Sequence, residues 1–416
     1  MAIAVGAFVQ PVWAQGPLGA QEPVEVRTAR FSYKFNINYF LQASTRQNYP
    51  FNDERFVDHE SFIWERLRPK VTLSNQHISV VVEAQDTHAR GSEFAVRRAW
   101  LDLLNAYVDV THMKGVSFKV GRRQGDFDTI PRLVRTSDFA AVVRSFDVAE
   151  VGWVRRTTAV RAFVFRTVDN LPDRFNTWKK GERLWTAHIR QGVGHHALQT
   201  YVTTRLNTDV MSESGVAGSG AVHAWETLAT GPTPFPHLTY SVEHILERGH
   251  FSTDTVRASA FFGTLSLAPK TGHEIEVRYV RTSGDEVDGD GLRGNYDTFY
   301  MALNQLGSLG LMRGANLHAI SIGGTHTVAP KTDFTWRIYD SHLTTTQDGW
   351  YSTRFIQRPD PTSSRVGNEL NTQLSYTVSS HLNARLGFYR FFQGPYLKET
   401  HPGGSYEVRL QIFGNL

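Results

Sequence analysis

Cysteine is absent from the 416 residues, so neither a disulfide framework nor a thiolate metal site is available. No run of about 18 apolar residues occurs, which excludes a bundle of membrane-crossing helices. Net charge is small: 44 Lys+Arg against 40 Asp+Glu leave +4, too little for a dedicated nucleic-acid binder. What the chain has in quantity is aromatic side chains, 26 Phe, 15 Tyr and 9 Trp, in a sequence whose mean hydropathy is negative. Strict alternation lets one chain be rich in aromatics and polar on average.

Alternation is what the sequence displays. Phe31, Tyr33, Phe35, Ile37, Tyr39 and Leu41 interleave with Ser32, Lys34, Asn36 and Asn38, so the two sets face opposite sides of a strand. Leu67, Val71 and Leu73 oppose Arg66, Arg68 and Lys70; Val116, Phe118 and Val120 oppose Ser117 and Lys119. Ile275, Val277 and Tyr279 oppose Glu274, Glu276 and Arg278, and Val408, Leu410 and Ile412 oppose Glu407, Arg409 and Gln411. No comparable 3.6-residue period exists. The chain is all-β.

Connections alternate between turn chemistry, such as Gly194-His195 and Ala329-Pro330-Lys331, and long polar stretches near 42–60, 125–144, 169–183, 284–314 and 345–366. They divide residues 15–416 into about eighteen strands, from 27–41 to 403–414. Segments of roughly ten residues, even in number, with short turns on one rim and long loops on the other, describe a single closed antiparallel transmembrane β-barrel. Its turns would be periplasmic and its loops extracellular. A sandwich would favour Val, Ile and Leu on its buried face, whereas here one face is aromatic and the other charged. Residues 1–14, apolar and ending Val12-Trp13-Ala14, read as the remnant of a signal peptide. The expected location is the bacterial outer membrane.

If the apolar face meets lipid, the opposite parity lines a lumen. It collects Lys34, Arg66, Arg68, Lys70, Arg98, Lys119, Arg123, Arg190, Arg257, Arg278, Arg337, Arg385 and Arg409, with fewer carboxylates, Glu243, Glu276, Glu369 and Glu407 among them. Guanidinium forks bind carboxylate or phosphate bidentately and stay charged. Rings of one sign select ions. The expectation is a pathway for anionic solutes; the plainer alternative is that Arg and Glu pair across strands to stiffen the wall.

Several stretches resemble the alginate export family of outer-membrane barrels. They are Glu65-Arg66-Leu67-Arg68-Pro69-Lys70, Glu83-Ala84-Gln85-Asp86, Val120-Gly121-Arg122-Arg123-Gln124 and Arg144-Ser145-Phe146-Asp147. Thr282-Ser283-Gly284-Asp285, Tyr296-Asp297-Thr298-Phe299, Val366-Gly367-Asn368-Glu369-Leu370-Asn371 and Leu386-Gly387-Phe388-Tyr389-Arg390-Phe391 continue the likeness over about residues 60–414. The resemblance implies eighteen strands and a pore conducting an acidic polysaccharide, with Arg66, Arg68, Arg122, Arg144 and Asp147 on the pathway. Strand parity places Arg122 on the lipid side, so its place stays open between the two readings. Asn371 stands where the family often has Asp, and Arg123 where it has Gln or Glu.

Asp285, Asp288, Asp290 and Asp297, with Gly289 and Gly291, could hold Ca²⁺ through oxygen ligands, though the spacing is not that of an EF-hand. No other cofactor is implied. His195-His196 point to opposite strand faces and make a poor metal pair. No nucleophile, base and orienter are fixed together, so an enzyme is not expected. The expected partners are outer-membrane lipids, an anionic saccharide or small anion and periplasmic export components, with the chain a monomer and no nucleic acid. The alternatives are a porin of other selectivity and, from another class, an outer-membrane lipase or deacylase.

Overall fold

The computed structural model describes residues 26–28, 31–48, 59–91, 98–113, 115–125, 127, 132–135, 143–171, 174–300, 306–352, 355–356, 361–398 and 404–416. For 26–28, 98–100 and 112–113 it describes the backbone alone. The segment read as a signal remnant, 1–14, lies outside the described residues.

Eighteen long strands follow one another. They are β1 (Phe31–Gln47), β2 (His59–Ser74), β3 (Ile78–Arg90), β4 (Arg98–Met113), β5 (Val116–Gln124) and β6 (Ser145–Arg155). Next come β7 (Thr158–Asp169), β8 (Glu182–Val193), β9 (His196–Met211), β10 (Ala217–Pro232), β11 (Leu238–Phe251) and β12 (Asp254–Lys270). The last are β13 (His273–Thr282), β14 (Leu317–Ala329), β15 (Thr332–Leu343), β16 (Arg365–Ser379), β17 (Leu382–Gln393) and β18 (Tyr406–Asn415). Each pairs antiparallel with its successor, and β18 returns to β1, from Asn38 opposite Asn415 to Gln47 opposite Tyr406. Leu416 and Ile37 exchange backbone hydrogen bonds of 2.9 and 2.7 Å at that seam. No long strand is left with an unpaired edge, which is what permits strands in hydrocarbon.

Parity is as the sequence dictates. In β1 Phe31, Tyr33 and Phe35 are exposed on the outside while Phe40, Gln42, Ser44 and Arg46 are buried inside. The first strand starts at Phe31 rather than 27; Val26–Thr28 instead folds back and pairs with Phe31–Tyr33. Connections on one rim are short, and Gly272 at φ +78° shows why glycine serves there: it takes the left-handed backbone that a two-residue hairpin demands. The other rim carries the long loops, with two departures. Residues 212–216 join β9 to β10, and 252–253 alone join β11 to β12.

Candidate functional site: the lumen and its inward loops

The interior is furnished from two sources, wall side chains and loops that fold inward. The connection from β13 to β14 is the main one of the second kind. Near its middle the Asp297 carboxylate pairs with Arg205 of β9, and the Asp297 N–H donates to Glu247 of β11 at 2.8 Å. Tyr300 bonds Glu182 on β8 through its hydroxyl. Beyond residues 301–305 the loop meets the far wall. There the Leu309 N–H donates to Glu369 of β16 at 3.2 Å, and Arg409 of β18 donates to the Ser308 carbonyl at 3.2 Å. β9 and β18 are half the circumference apart, so this loop crosses the bore.

A second loop joins it. Val134 bridges Tyr300, Arg132 binds Glu243 of β11 at 2.9 Å, and Phe127 lies among Phe146, Phe163 and Phe165 of β6 and β7. Tyr296, Leu306, Leu309, Leu311, Met312, Leu133 and Val134 make one apolar cluster with these rings and with Ala224, Ala258 and Ala260 on the wall. Small wall residues leave room for the loop; full burial of each large apolar side chain contributes about 1.5–3 kcal/mol. The sequence carried one signal of this. β7 runs Ala162-Phe163-Val164-Phe165, apolar on both parities, as a strand covered on both faces must be.

The wall opposite the acidic anchors is built differently. Arg66 and Arg68 of β2 point inward and are buried, and Lys70 is half-buried below them. The Arg66 guanidinium lies 5.0 Å above the Phe40 ring, Phe40 meets Phe413 at 5.0 Å, and Arg385 lies 4.5 Å above Phe413. Four strands, β2, β1, β18 and β17, thus carry a row of Arg, Phe, Phe and Arg. Arg68 donates to Gln85 at 3.0 Å, and Lys70 sits 3.9 Å from Glu83. Across the bore, β10 and β11 bury Glu226, Glu243 and Glu247. β2 and β11 are nine strands apart in a ring of eighteen, so the basic run of β2 and the three carboxylates of β10 and β11 face each other across the bore.

The remaining candidates distribute as follows. Lys119 pairs with Asp109 at 2.9 Å and Arg123 with Glu150 at 2.9 Å. Arg278 and Arg337 share Glu276, and Arg409 grips Glu407 with two bonds of 2.8 and 2.9 Å. Lys119, Arg123 and Arg337 thus pair across strands, whereas Arg278 and Arg409 hold carboxylates of their own strands, β13 and β18. Arg144 precedes β6, exposed, 4.6 Å over Tyr300. The side chain of Arg98 lies outside the described residues.

Two expectations are corrected. Arg122 and Asp147 are register partners bound at 2.8 and 3.3 Å, but they face outward with Val120 and Val151, not into the lumen. Parity decided this against the resemblance. Gly121, at φ +128° and so close to β4 that a Cβ would meet the Ala106 carbonyl at 2.2 Å, bends β5 without flipping it. Arg257 also faces outward, since its neighbours Val256 and Ala258 are the buried ones.

The four aspartates proposed for Ca²⁺ are not brought together. Asp297 is committed to Arg205, Asp290 caps the Leu292 N–H at 2.7 Å, and Asp285 lies near Glu213 and Asp348. Among the described residues no group of three or more His, Asp or Glu is placed to hold a metal ion.

A closed eighteen-strand barrel with an apolar outer face and a furnished bore is an outer-membrane channel of the porin class. Residues 35–409 match the alginate export family, and the chain belongs to it. Similar solved structures are outer-membrane channels. OpdK from Pseudomonas aeruginosa superposes with a TM-score of 0.66 at 12% identity, over 92% of this chain and 98% of its own. A BenF-like porin from Pseudomonas fluorescens Pf-5 gives 0.65 at 11%, over 92% and 98%. OpdO from Pseudomonas aeruginosa gives 0.63 at 13%, over 92% and 97%. At such identities the likeness is one of fold. No curated protein matches the sequence.

Proposed function

We propose that the barrel is a passive channel for anionic solutes, acidic oligosaccharides and small carboxylates among them, which move along the wall carrying Arg66, Arg68, Lys70 and Arg385. The observation that carries this reading is the run of basic side chains Arg66, Arg68 and Lys70 along the inward face of β2, with Arg385 on the same wall. The carboxylates of β10 and β11 meet Arg132 of the second loop and, through Asp297, Arg205 of β9, while Arg66 and Arg385 stack on aromatic rings. A guanidinium stacked on a ring face keeps its charge, and the contact is worth about 0.5–2 kcal/mol.

The crossing loop narrows the way past Leu309 and Ser308, where it meets β16 and β18, so cargo passes this point in single file. A second reading, an aromatic carboxylate as cargo, is favoured by a crystal structure of OpdK with vanillate, a fold neighbour at TM-score 0.62 and 12% identity. The same basic wall serves either cargo, and no chemical step is assigned to it. The test is the reversal potential of the purified channel in planar bilayers under a salt gradient. Anion preference is expected, reduced severalfold in Arg66→Gln/Arg68→Gln; a cation-selective wild-type pore would falsify the reading. Competition of galacturonate oligomers and vanillate for the same current block separates the two cargoes.

A further inference from the structure

The outer surface of the barrel carries cations at one end. Around the short-turn rim the outward side chains of the strands are mostly apolar and aromatic, with some His, Thr and Gln, and among the described strand residues Arg155 is the one arginine there. Toward the long-loop rim the same outward parity turns basic. Arg122, Arg166 and Arg183 stand nearly abreast on β5, β7 and β8, with Arg248, Arg257 and Arg281 continuing the series on β11, β12 and β13.

The first three form a cluster. Register places Arg122 opposite Asp147 and Asp147 opposite Arg166, and Arg183 follows one step beyond the Leu184–Phe165 pair. Arg122 is held by Asp147 and also donates to the Asn176 carbonyl at 3.3 Å. The Arg166 guanidinium lies 4.7 Å over Trp178, which is exposed beside it. Among the described residues no carboxylate pairs with Arg166 or Arg183, and Arg183 is exposed. Three cations and one anion therefore face outward across three strand spacings, about 14 Å at about 4.8 Å each.

A lipid-facing arginine costs about 2–4 kcal/mol at the bilayer midplane and about 0–1 near the interface. An outward tryptophan beside the cluster fits the interface, where indole rings gather. The long-loop rim of an outer-membrane barrel lies in the outer leaflet. We propose that Arg122, Arg166 and Arg183 form an external binding site for the phosphate groups of the phosphorylated glycolipid that makes up that leaflet, with Trp178 against its sugar. Guanidinium forks match phosphate oxygens bidentately, and three in a row span two phosphate groups on one headgroup. The contrast with the short-turn rim, which meets the inner leaflet, argues for recognition of one leaflet's lipid rather than general adhesion to charged membranes.

The test uses the full chain in detergent and native mass spectrometry with three probes: bisphosphorylated lipid A, the same lipid dephosphorylated, and phosphatidylglycerol. Wild-type protein is expected to retain bisphosphorylated lipid A at least tenfold better than the other two. Arg122→Gln/Arg166→Gln/Arg183→Gln is expected to lose that tenfold advantage, and Arg155→Gln to keep it. Equal retention of the dephosphorylated lipid or of phosphatidylglycerol overturns the proposal, as does a triple variant that binds like wild type. Should the triple variant fail to fold, Arg183→Gln alone, which disturbs no ion pair, is expected to cost about threefold, and no loss there overturns the site.

Discussion

The Phe40 and Phe413 rings meet at 5.0 Å with planes tilted by 49°, and they meet across the seam where the last strand closes on the first. Closure of the barrel therefore assembles the row that holds Arg66 and Arg385, because neither ring pair nor guanidinium spacing exists until β18 docks. Replacing Phe413 by Leu keeps the apolar volume and removes the ring face. About 1 kcal/mol of positioning for Arg385 is lost, a factor of about five. The expected outcome is a fivefold weaker block of ion current by an oligogalacturonate, with the folded gel mobility unchanged.

Leu311 is fully buried in the apolar cluster that the crossing loop makes with the wall. Leu311→Ala should cost about 2–5 kcal/mol, the range for such truncations. The cost falls on loop docking rather than on the eighteen-strand ladder, since Leu311 lies in neither β13 nor β14. Single-channel recordings should show a larger, noisier conductance while the melting temperature of the barrel stays put. A quiet trace of wild-type amplitude would remove Leu311 from any role in holding the loop.

Gly307 adopts φ +145° where the loop touches β16, and a Cβ there would come within 2.5 Å of the Glu369 carboxylate. Gly307→Ala should push the loop off that wall, breaking the Leu309 N–H bond to Glu369. Faster proteolysis between β13 and β14 in the intact barrel is the expected readout, and a wild-type rate would remove Gly307 from loop docking.

Burial, together with the hydrogen-bonded neighbour Asp285, pushes the Glu213 carboxyl up to about 7, outside the membrane on the five-residue loop. Its folded value is raised, so the contribution of this contact is full below its ordinary value near 4.5 and fades as pH rises through about 7. Above that pH Glu213 is charged where it accepts the Gly289 N–H, and its contact with Asp285 loses the shared proton. Gating events should become more frequent between about pH 5 and 8. Glu213→Gln should flatten that profile, and a profile of unchanged slope in this variant would show that another group titrates.

The period of two made the ladder legible: apolar positions such as Phe31, Tyr33 and Phe35 lie on the outside because lipid and water leave an alternating strand no other choice. The same parity put Arg66, Arg68 and Arg385 inside and, against the family likeness, Arg122 outside. What could not be read was the bore's contents. Whether Leu306, Leu309 and Leu311 hang outward or fold back depends on a surface formed by Phe146, Phe163 and Ala258, brought together only by closure. Phe40 was legible as inward, but its partnership with Phe413 spans the whole chain. Arg257 was misplaced because β12 alternates weakly around Ser259 and Ala260, where small side chains blur the two faces.

The strap between Asp297 and Ser308 has a mechanical side. A wide ring of tilted strands flattens easily when the surrounding film is squeezed, and an ellipse of the same perimeter encloses less open area. Because Arg205 and Glu247 hold one end and Glu369 and Arg409 the other, the strap acts as a tie-rod along one diameter. Stretching along that axis is resisted, so the bore should keep its cross-section under lateral tension better than an untied ring of equal girth.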